Sequence, residues 1–498
     1  MADVINVLVR ADASRIEKFA AEELAAYTGA MTDKRIKVVN GTSGSAIYVG
    51  SLPDRIPSNE RARMIDELNT LHRDGFIIRS MGNDLVIQGR TPRATLYGVY
   101  SYLQTQGVRW YFPGKENEFV PKRTEVNLRG IDIKESPDMN HRSVVIYFRG
   151  SAFEDWIEFA ARAKLNAIHL HSDEGIHQMS DLLATRGLDF GLRRHFFGEK
   201  YPPDVERDRT LLLDYIRGLP PQLNEFFLWQ ADAPLELRDT GRLSLSDAVL
   251  MFTNEMLGAI RTIKPAARMS FLAYWSTWHA PRTVRPAEGV FLELAHIHQC
   301  FSHSIADPAC PVNSEEVLPV IEELLQIFDP AESHVLGYWL DASLFGRGVY
   351  KALSGRLPWI GEFIRQDIKF YKSKGVPNIS TFAVGLDREY FSRFASPSVF
   401  QYPALLWSVE TDLESELVNF CENLYGDRSL IEVFKMGERI DPGDNSPDNW
   451  KSLVEHYSHA KLIVKEILQK ASDDAYIHRL GRLIRELEHT GSWIQGNL

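Results

Sequence analysis

The sequence predicts an α/β fold, a (β/α)8 barrel with a small α/β domain before it and a helical region after it. Three observations predict it. From about Asn140, short apolar strand patterns alternate with amphipathic helical patterns, and eight such strands can be counted. They span about 250 residues, the usual size of a barrel of this kind. After about Ser396 the strand patterns stop and helical periodicity alone continues. A doubly wound open sheet competes with this reading, but no glycine-rich phosphate loop follows any strand. The expected domains are residues 1–125, 138–395 and 396–498.

In the first domain, Val4 to Val9, Ile36 to Val39 and Ala46 to Val49 are β-branched runs, the last closed by Gly50. Ser14 is placed to cap a helix whose apolar residues Ile16, Phe19, Ala20, Leu24 and Tyr27 recur at three and four. Gly75 to Ile78 and Leu85 to Ile87, joined through Gly82-Asn83-Asp84, read as a hairpin. Thr95 to Gln106 reads as a helix. The barrel strands are expected at Ser143 to Phe148, Ala167 to His171, Asp189 to Arg193, Phe226 to Gln230, Met269 to Trp275, Val290 to His298, Val335 to Leu340 and Ile379 to Val384. Helices such as Ala152 to Lys164, Leu245 to Ile263, Ser314 to Phe328 and Ile360 to Lys372 fill most of the gaps. Four amphipathic stretches follow, at Leu413 to Leu424, Leu430 to Glu438, Trp450 to Lys470 and Tyr476 to Trp493. The breaker-rich stretch from Asp441 to Asp448 divides them.

Composition excludes several classes of partner. The 498 residues carry 56 Lys+Arg against 67 Asp+Glu, a net charge of −11, which lacks the basic stripe that phosphates require. No nucleic acid is expected. No stretch approaches the ~20 apolar residues that cross a bilayer, so no membrane partner is expected either. The start lacks a basic segment followed by an apolar one, so the chain reads as cytoplasmic, or as exported with its signal already removed. Cys300, Cys310 and Cys421 are too few and odd in number for a disulfide framework.

A further pattern lies at Asp74-Gly75-Phe76, Leu85 to Gly89, Thr91-Pro92-Arg93-Ala94-Thr95-Leu96-Tyr97-Gly98-Val99-Tyr100 and Gly107-Val108-Arg109-Trp110-Tyr111-Phe112-Pro113-Gly114. It resembles the α/β domain that precedes the catalytic barrel in alpha-glucuronidases and beta-hexosaminidases. More narrowly, the chain is similar to a bacterial family of predicted glycoside hydrolases long labelled as a domain of unknown function. Cys300-Phe-Ser-His303, with Asp307, Cys310 and Asn313, resembles a segment of that family's barrel. Together these matches span most of residues 1–315. The resemblance implies a glycosidase. One departure stands out: hexosaminidases that use the substrate's acetamido group carry adjacent Asp-Glu after the fourth strand, where this chain has Asp232-Ala233. Substrate-assisted chemistry is therefore not expected.

Barrel enzymes work at the C-terminal ends of their strands, where the loops converge. Strand four ends at Asp232, strand seven at Asp341, and strand eight runs into Asp387 and Glu389. Glycoside hydrolysis needs two carboxyls, one protonated to assist the leaving oxygen and one ionised. Asp232 and Asp341 are the leading pair. The bland reading of any one acid is a helix cap or a salt-bridged loop residue. Glu293 is a third catalytic candidate inside strand six, on the face opposite His296 and His298; if those histidines point inward, it becomes a structural ion-pair partner. Histidines crowd the same ends, with His169, His171, His195, His279, His296, His298 and His303, and suit sugar hydroxyls, general-base work or plain packing.

Trp275, Trp278, Tyr338 and Trp339 offer flat faces to a sugar, with the alternative that half are core by strand alternation. Arginine forks bind carboxylates, so Arg149, Arg193 and Arg347, with Arg142, Arg194 and Arg388, point to a uronic or sialic acid. His171, His195 and Asp387 complete the expected substrate contacts. Cys300, His303 and Cys310 form a Cys-x2-His-x6-Cys series that lacks the paired knuckles of zinc modules, and neither metal nor organic cofactor is expected. The expected activity is exo-type hydrolysis of a terminal, possibly acidic, sugar from an oligosaccharide or glycoconjugate, with a homo-oligomer also admitted. A non-catalytic carbohydrate-binding barrel and a metal-assisted hydrolase are the alternatives.

Overall fold

Ser14 accepts from the backbone N–H of Glu17 while the Glu17 carboxylate accepts from the Ser14 backbone, a reciprocal cap that starts the helix Arg15–Thr32. Thr91 caps the helix Pro92–Thr105 one way only, its side chain accepting from the Ala94 N–H, with Pro92 at the first turn, so that helix begins earlier than its apolar periodicity suggests. Both helices contact strands of one sheet, whose order is Ile36–Asn40, Ile5–Val9, Ile47–Val49, Asp84–Gly89, Phe76–Met81 and Asp132–Glu135. The first four pair in parallel and the last two antiparallel. The expected hairpin is the antiparallel pair Phe76–Met81 and Asp84–Gly89.

The computed structural model describes residues 5–41, 46–147, 151–172, 176–201, 203–237, 243–301, 303–344, 359–393, 395–435 and 446–496. It contains two units. One comprises Met1–Asp138, Gly150–Asn166 and Gln178–Asp189; the other comprises Met139–Arg149, Ala167–His177 and Phe190–Leu498.

In the second unit the chain closes a barrel of eight parallel strands. They are His141–Ile146, Ala167–Leu170, Asp189–His195, Glu225–Trp229, Arg268–Ala273, Val290–Leu294, His334–Asp341 and Asn378–Val384, strands one to eight below. Strand eight pairs with strand one, Ile379 opposite Arg142 and Ala383 opposite Ile146, so no edge is left unpaired. Strand six is shorter than expected, ending at Leu294 rather than running to His298.

Alternate residues of each strand fill the interior. Val145, Phe227, Trp229, Leu272, Phe291, Leu336, Tyr338 and Phe382 make one apolar cluster there. Near the N-terminal ends of the strands, His141 and His169 share a 2.9 Å hydrogen bond, and His334 packs 5.1 Å from His141. Strand seven carries a register shift between Gly337 and Leu340. A Cβ at Gly337 would lie 2.4 Å from the Trp339 ring, so a glycine is required where that ring folds back.

The C-terminal helices include Ser398–Trp407, Leu413–Tyr425, Pro447–Lys470 and Asp474–Gly496. Of the helix expected at Leu430 to Glu438, Ile431–Phe434 is helical, and residues 436–438 lie outside the described residues. Tyr402 donates to the Ser143 carbonyl at 2.8 Å, and Arg142 lies 5.3 Å over the Trp407 ring. The Met139 N–H meets the Leu406 carbonyl at 3.2 Å. Among the described residues no helix is long and apolar enough to cross a membrane.

Candidate active site at the barrel mouth

The floor of the mouth is built from an ion pair. Arg193 and Glu293 are both fully buried, 2.7 Å apart. The second guanidinium nitrogen donates to Ser380 at 2.9 Å, and the guanidinium lies 4.1 Å over the Phe227 ring. Glu293 accepts from the Trp229 indole N–H at 2.7 Å. Burial raises the Glu293 carboxyl and lowers the Arg193 guanidinium, and each is opposed by the other's charge. Both residues were expected at the substrate, Glu293 as a catalytic carboxyl and Arg193 as a carboxylate fork. Geometry places them one layer deeper, where each satisfies the other and Glu293 fixes the Trp229 ring.

Above that ring stand two histidines. Trp229 lies 5.6 Å from His171 and 5.2 Å from His195, and the two imidazoles are 5.7 Å apart. Burial, then the charge of His195, lowers His171 to about 4, so it is neutral in ordinary buffers. Tyr147 stacks on it at 4.5 Å. The Nδ1 of His195 sits 2.5 Å from the Gln230 carbonyl, which accepts only. A neutral His195 therefore carries its proton on Nδ1 and presents Nε2 as an acceptor. Gln230 is itself held, donating to Thr277 Oγ1 at 2.7 Å.

The carboxyls come from strand four and strand seven. Asp232 is exposed and accepts from the Tyr274 hydroxyl at 2.9 Å. Asp341 is buried, one of its oxygens accepting from both the N–H and the hydroxyl of Ser343 at 2.9 and 2.6 Å. Tyr338, on strand seven, is stacked on Phe382 at 5.6 Å. Burial first, and then Tyr274, Asp341, Glu293 and Asp232, hold its phenol well above the ordinary value, so it remains a proton donor. Trp275 is 47% exposed and has φ 41°, a left-handed backbone that costs a bulky residue energy and is seen mainly where function requires it.

Other expected contacts lie elsewhere. Trp339 points away from the interior, its indole donating to Asp367 of the helix Gly361–Ser373 at 3.0 Å. His296 is buried against Tyr371 of that helix and 6.2 Å from Trp339, and burial lowers it to about 3. Strand alternation separates Tyr338 from Trp339, and the early end of strand six turns His296 outward. Asp387 accepts from the Tyr390 N–H at 2.9 Å as a helix cap. Trp278 is buried and His298 exposed. Cys300, His303 and Cys310 come together, with their ligand atoms all within 4.8 Å of one another. Arg149 and Arg347 lie outside the described residues. Sequence reasoning did not single out Tyr147 or Trp229, although each shares the inward parity of Val145 and Phe227, the signal that marks them.

A cavity of about 410 Å3 also opens in the first unit, lined among others by Tyr27, Trp110, Glu118 and Arg162. Those four polar groups are bonded to one another, through Tyr27 to Glu118, Trp110 to Tyr27 and Arg162 to Glu118. The mouth, at the C-terminal ends of the barrel strands, is the better candidate.

A closed parallel barrel with acids, histidines and aromatic rings at its C-terminal mouth, preceded by an α/β domain, is an architecture of glycosidases. Residues 1–102 match the glycosyl hydrolase family 67 N-terminus, and residues 230–318 match a domain of unknown function, DUF4838. Among solved structures, a family GH115 4-O-methyl-alpha-glucuronidase with specificity for decorated arabinogalactans aligns at TM-score 0.67 and 11% identity, covering 99% of this chain and 72% of that one. A GH138 enzyme targeting pectin rhamnogalacturonan II gives 0.51 and 12%, with 99% and 69% covered. A third, CpGH84B, gives 0.52 and 15%, with 100% and 88% covered. At these identities the likeness is one of fold. No curated protein matches the chain by sequence.

Proposed function

We propose that the chain is a glycoside hydrolase that removes a terminal sugar at the barrel mouth, with Asp232 and Asp341 as its carboxyl pair. The observation that carries this reading is that both acids stand at C-terminal strand ends, Asp341 as the last residue of strand seven and Asp232 just past the end of strand four. Asp341, whose one oxygen takes two bonds from Ser343, suits the ionised role, and Asp232, exposed and bonded by the Tyr274 hydroxyl, is the second carboxyl of the pair. Tyr147 and Trp275, both exposed, would cover the apolar faces of the ring.

An acidic sugar is the substrate class that the fold likeness to a 4-O-methyl-alpha-glucuronidase and the family 67 match favour. Of the arginines considered for it, Arg193 is bound to Glu293, Arg142 to backbone carbonyls and Arg194 to Tyr215. Hydrolysis of aryl glycosides, uronides and sialosides included, should be measured at pH about 5 to 7. Asp232→Asn and Asp341→Asn should each lower kcat by about 10²-fold or more while the fold is kept. Unchanged rates in both would sink the assignment, and binding without release of the aryl group would favour a carbohydrate-binding barrel.

A further inference from the structure

The segment after strand six holds a second constellation, on which the reading above does not depend. Cys300, His303 and Cys310 place their ligand atoms within 4.8 Å of one another, and Cys300 Sγ is 3.3 Å from His303 Nδ1. Around a tetrahedral zinc ion, with Zn–S near 2.3 Å and Zn–N near 2.0 Å, neighbouring donors are about 3.5 to 3.8 Å apart. A shift of about 1 Å or less would therefore close the set. Two thiolates and an imidazole select a soft or borderline divalent cation over magnesium or calcium, which take oxygen donors.

The backbone that carries these ligands is held by a buried amide. Asn313 donates to the carbonyls of Cys300, His303 and Ser304 at 3.2, 2.9 and 3.0 Å, and accepts from the Cys300 N–H at 2.7 Å. The Ile305 N–H is fixed to Asp367 at 2.8 Å. Beyond Cys310 the chain enters a π-helical stretch, Val312–Val317, a geometry found mostly at functional positions. Donors held this firmly lose little freedom on binding an ion. The same segment reaches the mouth, since Ile297 and Phe301 pack on the interior apolar cluster.

We infer that Cys300, His303 and Cys310 bind one zinc-class divalent cation, with water in the fourth position, as a clip on the loop that follows strand six. The test uses the full chain, reduced, stripped with a chelator and titrated with cobalt(II). One equivalent should bind with thiolate-to-cobalt charge-transfer absorption, and zinc(II) should displace it. Cys300→Ser and Cys310→Ser should each reduce that absorption, their combination should abolish it, and His303→Gln, at an exposed side chain, should weaken binding about tenfold or more. X-ray absorption of the zinc-loaded wild type, which needs no variant, should report two sulfurs and one imidazole nitrogen. Absence of charge transfer, its persistence in the double serine variant, or a Cys300–Cys310 disulfide in the protein as isolated would overturn the inference.

Discussion

Replacing Arg193 by methionine would leave the Glu293 carboxylate sealed in the barrel without its counter-charge, and removal of one partner of a buried pair costs about 3–5 kcal/mol. Glu293→Gln should cost a similar amount: the amide keeps an acceptor for Trp229, but the buried Arg193 guanidinium loses its counter-charge and cannot shed its proton. The double variant Arg193→Met with Glu293→Gln should be more stable than the sum of the singles predicts, by 1 kcal/mol or more in urea melts. Additive losses would mean that the two side chains do not depend on each other. At this scale the sequence was legible in kind but not in depth. It marked Glu293 and Arg193 as unusual, since an acid within an apolar strand needs a partner, but strand spacing alone does not tell which layer of the interior a residue reaches. Tyr338 and Trp339 make the same point: both end one strand, and only the register decides which faces the mouth.

Strand three passes beneath a histidine ring that leaves no room for a side chain. A Cβ at Gly191 would stand 2.4 Å from His169 Nδ1, so Gly191→Ala should destabilise the barrel by about 1–3 kcal/mol. The same change in a His169→Ala background should be nearly neutral, as read by thermal melting of both pairs. The eight barrel strands were readable because each is an apolar run between turn signals, and the structure moves their ends by only a few residues. Asp132–Glu135 was not readable as the sixth strand of the N-terminal sheet, since its sequence Asp-Ile-Lys-Glu offers a single apolar side chain. Its place is fixed by pairing with Phe76–Met81, a long-range contact that local pattern does not encode.

Acid should unfold the whole second unit cooperatively, because burial holds His169, His171, His296 and His334 in neutral form. His171 is lowered to about 4 and His296 to about 3, and burial sets His169 and His334 well below their ordinary value. A depressed folded value means that the unfolded chain binds the proton more tightly, so this contribution is complete above pH about 6.5 and falls as the pH drops toward 4 and 3. Urea midpoints measured from pH 7 to 4 should decline across that window, and His296→Phe should flatten part of the decline. The three-part architecture was visible in the shift from mixed to purely helical rhythm near Ser396, whereas the handclasp between that helical part and strand one was not. Through Tyr402 and Leu406, the helix Ser398–Trp407 reaches back to grip the start of the first barrel strand. During synthesis, then, the staves are all extruded before the hoop that binds them emerges, and a messenger truncated shortly after Ser396 should yield a product that chaperones retain rather than release.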